Sequence, residues 1–161
     1  MSEPLIRPIR AADDAAVAVI IRDVMASFGA TGPEYSSSDP EVGYMSAAYD
    51  GARFAYFVLE EDGRVLGCGG IAPLAGATPD VCELRKMYLL PEARGRGLGK
   101  RMLHHCLEAA RLCGYRHCYL ETLSGMDAAQ ALYLKTGFTK LDRPLGPAGH
   151  SGCNRHYLLE L

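Results

Sequence analysis

Apolar and polar residues follow two different rhythms along this chain. Short alternating or continuous apolar runs predict seven β-strands, at residues 5–9, 54–60, 65–71, 82–90, 117–123, 138–141 and 156–161. Longer stretches with apolar residues at helical spacing predict four helices, at residues 15–28, 42–49, 98–112 and 127–135. The resulting order, βααβββαβαββ, indicates a mixed α/β fold.

Turn residues separate these elements. The dipeptide Asp-Gly at 62–63 is a strong hairpin signal, so the strands on either side of it should pair antiparallel. Gly67, Gly69 and Gly70 interrupt the returning strand and predict a bulge or the close approach of another group. Because no internal repeat, linker or low-complexity segment divides the sequence, we expect one domain spanning residues 1–161.

The composition narrows the possible classes of protein. The net charge of −2 argues against a general nucleic-acid binder, because phosphate contacts need a surplus of positive charge. None of the six cysteines belongs to a Cys-x-x-Cys pair, so no zinc site is expected. The N-terminus lacks the apolar run of a signal peptide, and no apolar run reaches the roughly 20 residues of a membrane span. We therefore expect a cytoplasmic protein with reduced cysteines and no membrane partner.

Residues 94–100, Arg-Gly-Arg-Gly-Leu-Gly-Lys, join a predicted strand to a predicted helix. A Walker loop is excluded because Arg101 stands where that loop needs Ser or Thr. A dinucleotide-binding fingerprint is excluded because the third glycine comes one residue early. What remains is the pattern [Q/R]-x-x-G-x-[G/A], formed by Arg94, Gly97 and Gly99.

This glycine turn suits a pyrophosphate. Glycines let the backbone N–H groups approach an anion, and the helix that follows adds its positive N-terminal end. Basic side chains supply further positive charge at the same place: Arg94, Arg96, Lys100 and Arg101. The alternative is a tight turn whose basic residues are simply solvated.

Two stretches of the sequence resemble the GNAT superfamily of acetyl-CoA-dependent N-acyltransferases. They are residues 83–99, which include the glycine turn, and residues 129–138, where Ala-x-x-Leu-Tyr-x-x-x-Gly-Phe is found. Residues 1–80 match in element order alone. The resemblance implies an α/β fold with a GNAT-like central, mostly antiparallel sheet of the seven predicted strands, flanked by helices. It also implies direct transfer of an acetyl group from acetyl-CoA to a primary amine of a small molecule, peptide or protein.

The resemblance further implies which residues hold acetyl-CoA. The strand before the glycine turn would splay from its neighbour, and the backbone of Met87, Tyr88 and Leu89 would pair with the pantetheine amides. The alternative for these residues is an ordinary paired core strand. The pyrophosphate would lie on the N–H groups of the turn, which belong to Arg94, Gly95, Arg96, Gly97, Leu98, Gly99 and Lys100.

Two residues match positions of catalytic groups in that family. Glu83 matches the place of a general base in some members, although Arg85 or Lys86 could instead make it a structural ion-pair partner. Tyr133 matches the usual general acid, a phenol that donates a proton to the departing sulfur. Its alternative role is to pack its ring under the sheet.

One position departs from the family pattern. Many members carry an Asn three residues before Ala129, and this chain has Met126 there. The Asn bonds to the cofactor arm, so Ser124 or Asp127 would have to replace its contact, or the contact is absent.

The acceptor side is expected within residues 28–49 and 144–156. His150 lies in a glycine-rich loop and is a candidate substrate contact, with a solvated loop residue as the alternative. His156 precedes an apolar run, so we expect a strand-edge histidine rather than a base. Three acidic residues could attract a cationic amine: Glu34, Asp39 and Glu41.

Two further questions stay open at the level of sequence. A non-catalytic acyl-CoA-binding sensor or regulatory module is the alternative function, and the presence of both Glu83 and Tyr133 argues against it. Many members of the superfamily are homodimers, and the last strands of this chain could pair across such an interface. Neither a monomer nor a homodimer is excluded.

Overall fold

The computed structural model describes residues 2–147 and 152–161. Its strands are β1 Leu5–Pro8, β2 Ala55–Glu61, β3 Arg64–Pro73, β4 Val81–Leu89, β5 His117–Thr122, β6 Thr139–Leu141 and β7 Arg155–Glu160. They form one sheet in the order β1-β2-β3-β4-β5-β7-β6. Neighbouring strands run antiparallel, except β4 and β5, which are parallel. The predicted mostly antiparallel sheet of seven strands is confirmed.

The α-helices are α1 Asp14–Ser27, α2 Met45–Ala48, α3 Leu98–Leu112 and α4 Asp127–Thr136. The predicted helix at 42–49 is wrong in its extent. A 3-10 turn, Pro40–Gly43, comes first, and α2 is a single turn. The two are separated because Tyr44, with φ −144° and ψ 47°, leaves the helical conformation directly after a glycine, which is itself a poor helix former.

Two apolar cores cover the two faces of the sheet. On one face α3 packs on β-strand residues such as Leu84 and Leu120, and Tyr133 of α4 joins the same core. On the other face Ile21 of α1 packs with Val58 of β2. We call these the α3 face and the α1 face. No helix in the described part of the chain combines the length and the apolar character that crossing a membrane requires.

Strands β3 and β4 leave their regular register at one point. Cys68 pairs with Tyr88, whereas Gly70 pairs with Arg85, so β4 carries one extra residue between these pairs. Lys86 lies in this bulge with a φ of 47°, in the left-handed region. The glycines of β3 predicted a bulge or the close approach of another group, and the bulge observed here lies in the partner strand β4, opposite Gly69.

Strands β4 and β5 pair over their first residues alone. The parallel pairs are Val81–His117, Cys82–Cys118 and Glu83–Tyr119. Between these described strands no pairing continues beyond Glu83, although β4 extends to Leu89 and β5 to Thr122. A gap therefore opens toward the carboxyl ends of the one parallel pair, which is the usual place for a ligand in open α/β sheets.

Candidate active site

A cavity of about 40 Å³ lies in the gap between β4 and β5. Leu84, Leu120 and Tyr133 line it from the core of the α3 face. Met25 and Cys153 line it as well, and they belong to a small apolar cluster at the end of α1. The gap therefore connects the two faces of the sheet, and two reactants can approach it from opposite sides.

A larger cavity of about 390 Å³ leads from the gap to the turn before α3. The two cavities share lining residues of β4 and α4, including Met87 and Ala129, so one continuous cleft runs from the gap to the turn. Several of the predicted cofactor-binding residues line the larger cavity: Met87, Tyr88, Leu89, Arg94, Gly95 and Gly99.

The glycine turn has the geometry of an anion site. Gly95 and Gly97 adopt φ angles of 72° and 75°, in the left-handed region that favours glycine. No side chain of the described residues caps α3, so the N–H groups of its first turn stay available. A Cβ added to Gly95 or Gly97 would meet no heavy atom within 4 Å, so the space over the turn is open. Arg94 and Lys100 are exposed beside it.

Two other residues of the turn direct their side chains elsewhere. Arg96 forms an ion pair with Glu61, Nη2 to Oε2, at 2.5 Å. The side chain of Leu98 is buried in the core under α3. Each can therefore offer its backbone N–H to a ligand but not its side chain. Pyrophosphate binding by residues 94–100 stays a prediction.

These residues fit acetyl-CoA. The cleft combines an open glycine turn beside basic side chains with an unpaired stretch of β4, which matches a phosphate-bearing group with an extended amide arm. Met126, in place of the family's Asn, is buried and lines both cavities. Asp127 lines the larger cavity, whereas Ser124 is held by Asn154, with Ser124 N to Asn154 Oδ1 at 3.0 Å. Of the two predicted substitutes, Asp127 therefore faces the cleft.

Tyr133 brings a free hydroxyl to the gap. Its ring packs between Phe138 and Tyr157, at centroid distances of 5.7 and 6.0 Å. None of the hydrogen bonds between described residues involves its hydroxyl, and the residue lines the small cavity. Burial raises the pKa of Tyr133 well above its ordinary value, so the phenol keeps its proton at neutral pH. The packing role and the donor role predicted for this residue are thus compatible.

Glu83 lies where the paired part of β4 ends. Its Oε1 accepts a hydrogen bond from Arg85 Nε at 2.7 Å, and the Glu83 side chain is 15% exposed. Arg85 also donates to the carbonyl of Pro73 at 3.2 Å. The ion pair that the sequence left open as an alternative is therefore present. Glu83 is absent from the described linings of both cavities, and its role as base stays a prediction.

Lys86 fastens the acceptor-side loop to the bulge of β4. Its ammonium contacts Asp39 Oδ2 at 2.7 Å and Glu41 Oε2 at 3.1 Å, and its side chain is 3% exposed. Tyr49 adds a hydrogen bond from its hydroxyl to Glu41 Oε2 at 2.5 Å. Sequence reasoning missed this network, because a lysine in a strand looks solvated until the distant loop is placed. Two of the acidic residues predicted to attract an amine thus already hold a cation.

We expect Lys86→Met to lower the free energy of unfolding by about 2 kcal/mol, the range of hydrogen bonds to charged groups. The variant keeps the aliphatic stem but removes the ammonium that both carboxylates contact. Chemical denaturation would measure the change, with Lys140→Met, at an exposed position of β6, as the control. Equal stability of Lys86→Met and the wild type would mean that the network contributes nothing net.

Glu121 is an acidic residue at the gap that sequence reasoning missed. It lines the small cavity, and its side chain is 6% exposed. Tyr119 donates a hydrogen bond to Glu121 Oε2 at 2.7 Å, whereas Glu121 Oε1 is buried without a partner among the described residues. A glutamate within an apolar strand was the available signal, and it is the same signal that singled out Glu83.

Of the two histidines predicted on the acceptor side, the structure describes one. His156 is the second residue of β7, near the start of the strand, and β7 pairs with β5 on one side and β6 on the other. It is buried, with Nδ1 3.2 Å from the Tyr119 hydroxyl and 3.6 Å from Glu121 Oε2. His150 lies outside the described residues.

Comparison with known proteins shows which family this chain resembles in sequence. A model of the Acetyltransferase (GNAT) family matches residues 20–138. The chain is 42% identical over 159 residues to the Uncharacterized N-acetyltransferase YjgM of Escherichia coli (strain K12), and the match covers 98% of this chain and 95% of that protein.

Solved structures share the fold. A GNAT-family acetyltransferase from Staphylococcus aureus Mu50 superposes with a TM-score of 0.85 at 17% identity, covering 98% of this chain and 99% of that one. The structure of yncA from Salmonella typhimurium with its cofactor acetyl-CoA has a TM-score of 0.78 at 23% identity, covering 99% and 94%. Together with the sequence matches, these findings show that the chain belongs to the acetyltransferase (GNAT) family of acyl-CoA-dependent acyltransferases.

Proposed function

We propose that this protein transfers the acetyl group of acetyl-CoA directly to a primary amine of a small molecule, peptide or protein. The observation that carries the proposal is the gap between β4 and β5. One small cavity there is lined by the free hydroxyl of Tyr133 from the α3 face and by the carboxylate of Glu121 from the α1 face. A proton donor and a proton acceptor on opposite sides of one cavity are what acyl transfer to an amine needs.

The donor side would be held by the backbone. The edge of β4 at Met87–Leu89 is unpaired toward β5 and offers N–H and C=O groups to an extended amide arm, as a neighbouring strand would. The Leu89 carbonyl is the exception, because it accepts a hydrogen bond from Arg94 Nε at 3.1 Å. The N–H groups of the glycine turn, together with Arg94 and Lys100, would hold the pyrophosphate. Acetyl-CoA supplies the activated acyl group as a thioester. The residues of the cleft exclude water from it and orient it.

Tyr133 is the proposed general acid. Its phenol stays protonated at neutral pH because burial raises its pKa, and its hydroxyl has no competing partner among the described residues. A departing thiolate gains a proton more readily from a positioned donor than from bulk water.

The acceptor side carries negative potential. Burial and, after it, the carboxylates of Glu121, Glu83 and Asp39 together raise the pKa of the Cys153 thiol to about 12. Such an environment favours a cation, and a primary amine is a cation at neutral pH. Glu83 and Glu121 both lie on this side, and each is chemically able to take the proton of the amine.

The first test is calorimetric titration of the purified protein with acetyl-CoA, with ATP and NAD as controls. We expect binding of acetyl-CoA in preference to both nucleotides. A screen of primary amines, read out as release of the free thiol, would then identify acceptors. Equal binding of ATP would make the glycine turn a general phosphate site and would contradict the proposal.

We expect Tyr133→Phe to lower kcat by about 100-fold, the usual contribution of a positioned acid. The ring is kept, so stability and the Kd of acetyl-CoA should stay near the wild-type values. Tyr115→Phe is the matched control, because Tyr115 bonds through its hydroxyl to the carbonyl of Arg53, at 2.8 Å, and lies outside both described cavity linings. Full turnover by Tyr133→Phe would mean that another group protonates the departing sulfur.

A non-catalytic acyl-CoA-binding module remains the alternative proposal for this chain. It predicts acetyl-CoA binding without thiol release in the presence of any amine. The free hydroxyl of Tyr133 favours the enzyme. The single domain, the cytoplasmic location and a homodimer stay predictions.

A further inference from the structure

We propose that Glu121 is the group that binds the ammonium of the acceptor and takes its proton. This inference rests on the proposed function, because it names the acceptor chemistry of the same site. It departs from the expectation that assigned the base to Glu83.

The carboxylate of Glu121 is anchored at one oxygen and open at the other. Tyr119 donates to Oε2 at 2.7 Å, and His156 Nδ1 lies 3.6 Å from the same oxygen. Oε1 is buried and has no hydrogen-bond partner among the described residues. A buried carboxylate oxygen without a donor is costly, so its retention at a cavity indicates that a ligand supplies the donor.

Glu83 differs in two respects: a cation already pairs with it, and neither of its oxygens is buried without a partner among the described residues. Its carboxylate is held by Arg85 at 2.7 Å, and the residue is outside the described lining of the small cavity. Protonation of Glu83 would weaken its ion pair with Arg85, whose guanidinium also donates a hydrogen bond to the carbonyl of Pro73. We therefore assign Glu83 a positioning role, in which it fixes Arg85 beside the gap.

The same contacts define the chemical class of the acceptor. The cations of the α1 face near the gap are already engaged, Arg85 by Glu83 and Lys86 by Asp39 and Glu41. The site therefore offers one unpartnered hydrogen-bond acceptor, Glu121 Oε1, and a cation that can donate a hydrogen bond would satisfy it. An alcohol or an anionic nucleophile would leave the charge of Glu121 uncompensated. The acceptor is therefore a primary amine that enters as an ammonium ion.

The proposed step balances in atoms and charge. The ammonium gives one proton to Glu121 Oε1, and its nitrogen then uses the freed electron pair to bond to the acetyl carbon. The carbon–sulfur bond breaks, and the sulfur takes the proton of Tyr133. The second proton of the nitrogen returns to the Tyr133 phenolate through water, and Glu121 releases its proton to solvent. The products are one amide, one thiol and one proton.

Glu121→Gln tests this assignment, with Glu83→Gln as the comparison. The probes are acetyl-CoA and 1,5-diaminopentane or lysine methyl ester, whichever amine the wild type turns over faster. We expect Glu121→Gln to lower kcat/KM for the amine at least 100-fold at pH 7 while the Kd of acetyl-CoA stays within threefold. Glu83→Gln should lower kcat/KM for the amine less than tenfold. Glu160→Gln, at an exposed position of β7, should match the wild type.

A second readout separates a lost base from a damaged fold. The rate of Glu121→Gln should rise as the pH approaches the pKa of the free amine, about 10.4 for a lysine-type ammonium, because solvent then removes the proton. Other ionisable groups near Glu121 are Tyr119 on its own strand, His156 on β7 and Glu83 on β4, together with the residues that line the same cavity: Lys86, Tyr88, Tyr133 and Cys153. Apart from Glu83 itself, these groups are common to both variants, so a change in the pH profile of Glu121→Gln that Glu83→Gln does not show belongs to Glu121.

The outcomes distinguish this inference from the function on which it rests. A wild type that binds no acetyl-CoA or acetylates neither amine would overturn both. An active wild type with Glu121→Gln within threefold of its rate would overturn the role of Glu121 alone. A larger loss in Glu83→Gln than in Glu121→Gln would return the base to Glu83. Acetylation of 1-pentanol by the wild type would contradict the cationic acceptor class.

Discussion

Gly97→Asp should abolish acetyl-CoA binding while leaving the protein folded. The aspartate would place a carboxylate in the open space over the glycine turn, where the pyrophosphate is proposed to lie. Like charges repel, and the N–H groups at the start of α3 would serve the new side chain instead of the ligand. We expect a rise in the Kd of at least 100-fold, which corresponds to about 2.8 kcal/mol. Calorimetric titration measures it.

Gly114→Asp is the matched control for this variant. Gly114 follows α3 with a φ of 85°, and a Cβ there would also meet no heavy atom within 4 Å. Both substitutions force an L-residue into the left-handed region, at a cost of about 1–2 kcal/mol. The control lies at the other end of α3, away from the cleft. If Gly97→Asp and Gly114→Asp bind acetyl-CoA equally well, the glycine turn does not hold the pyrophosphate.

Gly70→Ala should be the most destabilising single substitution proposed for this chain. A Cβ at Gly70 would overlap the carbonyl oxygen of Ala55 and the ring of Tyr56, and would lie 2.9 Å from the Tyr56 Cα. Backbone atoms cannot move aside by changing a rotamer, so β2 and β3 must separate. Overpacking of this kind costs about 3 kcal/mol or more, and a loss of 3 kcal/mol lowers the Tm by about 6–12 °C in a chain of this size.

The same substitution should reach the active site. Tyr56 donates a hydrogen bond at 2.6 Å to the carbonyl of Lys86, the residue in the bulge of β4. Displacement of Tyr56 would therefore disturb the strand that borders the gap. Gly43→Ala, at an exposed glycine with no heavy atom within 4 Å of its added Cβ, should change stability by less than about 1 kcal/mol. A Gly70→Ala variant as stable as Gly43→Ala would mean that β2 and β3 adapt without loss.

Local patterns predicted the elements well because they depend on neighbouring residues. Asp62 and Gly63 specify their hairpin without help from the rest of the chain, and a Gly at 137 ends α4 in a left-handed conformation, with a φ of 111°. The segment at 42–49 was predicted less well, because its helix is interrupted at Tyr44. Gly43 disfavours a helix there, and Val42 and Met45 on either side of the break pack with residues of α1.

The site itself was only partly predictable. Glu83 and Glu121 look alike in sequence, each a glutamate within an apolar strand. The sequence neighbours Arg85 and Tyr119 each hold one oxygen, of Glu83 and Glu121 respectively. What separates the two glutamates is burial, because Glu121 Oε1 is buried and has no partner among the described residues. Such a difference arises from tertiary structure, so a single sequence cannot show it.

The gap between β4 and β5 also creates an edge inside the sheet. Unpaired strand edges normally invite another strand to add, which leads to aggregation. Here the edge of β4 faces β5 across the gap, which is flanked by the apolar cores of both faces. A polypeptide strand carries side chains toward both faces and would collide with these cores, whereas an unbranched amide chain would not. The flanking cores therefore make this edge better suited to a thin ligand than to a strand of another protein.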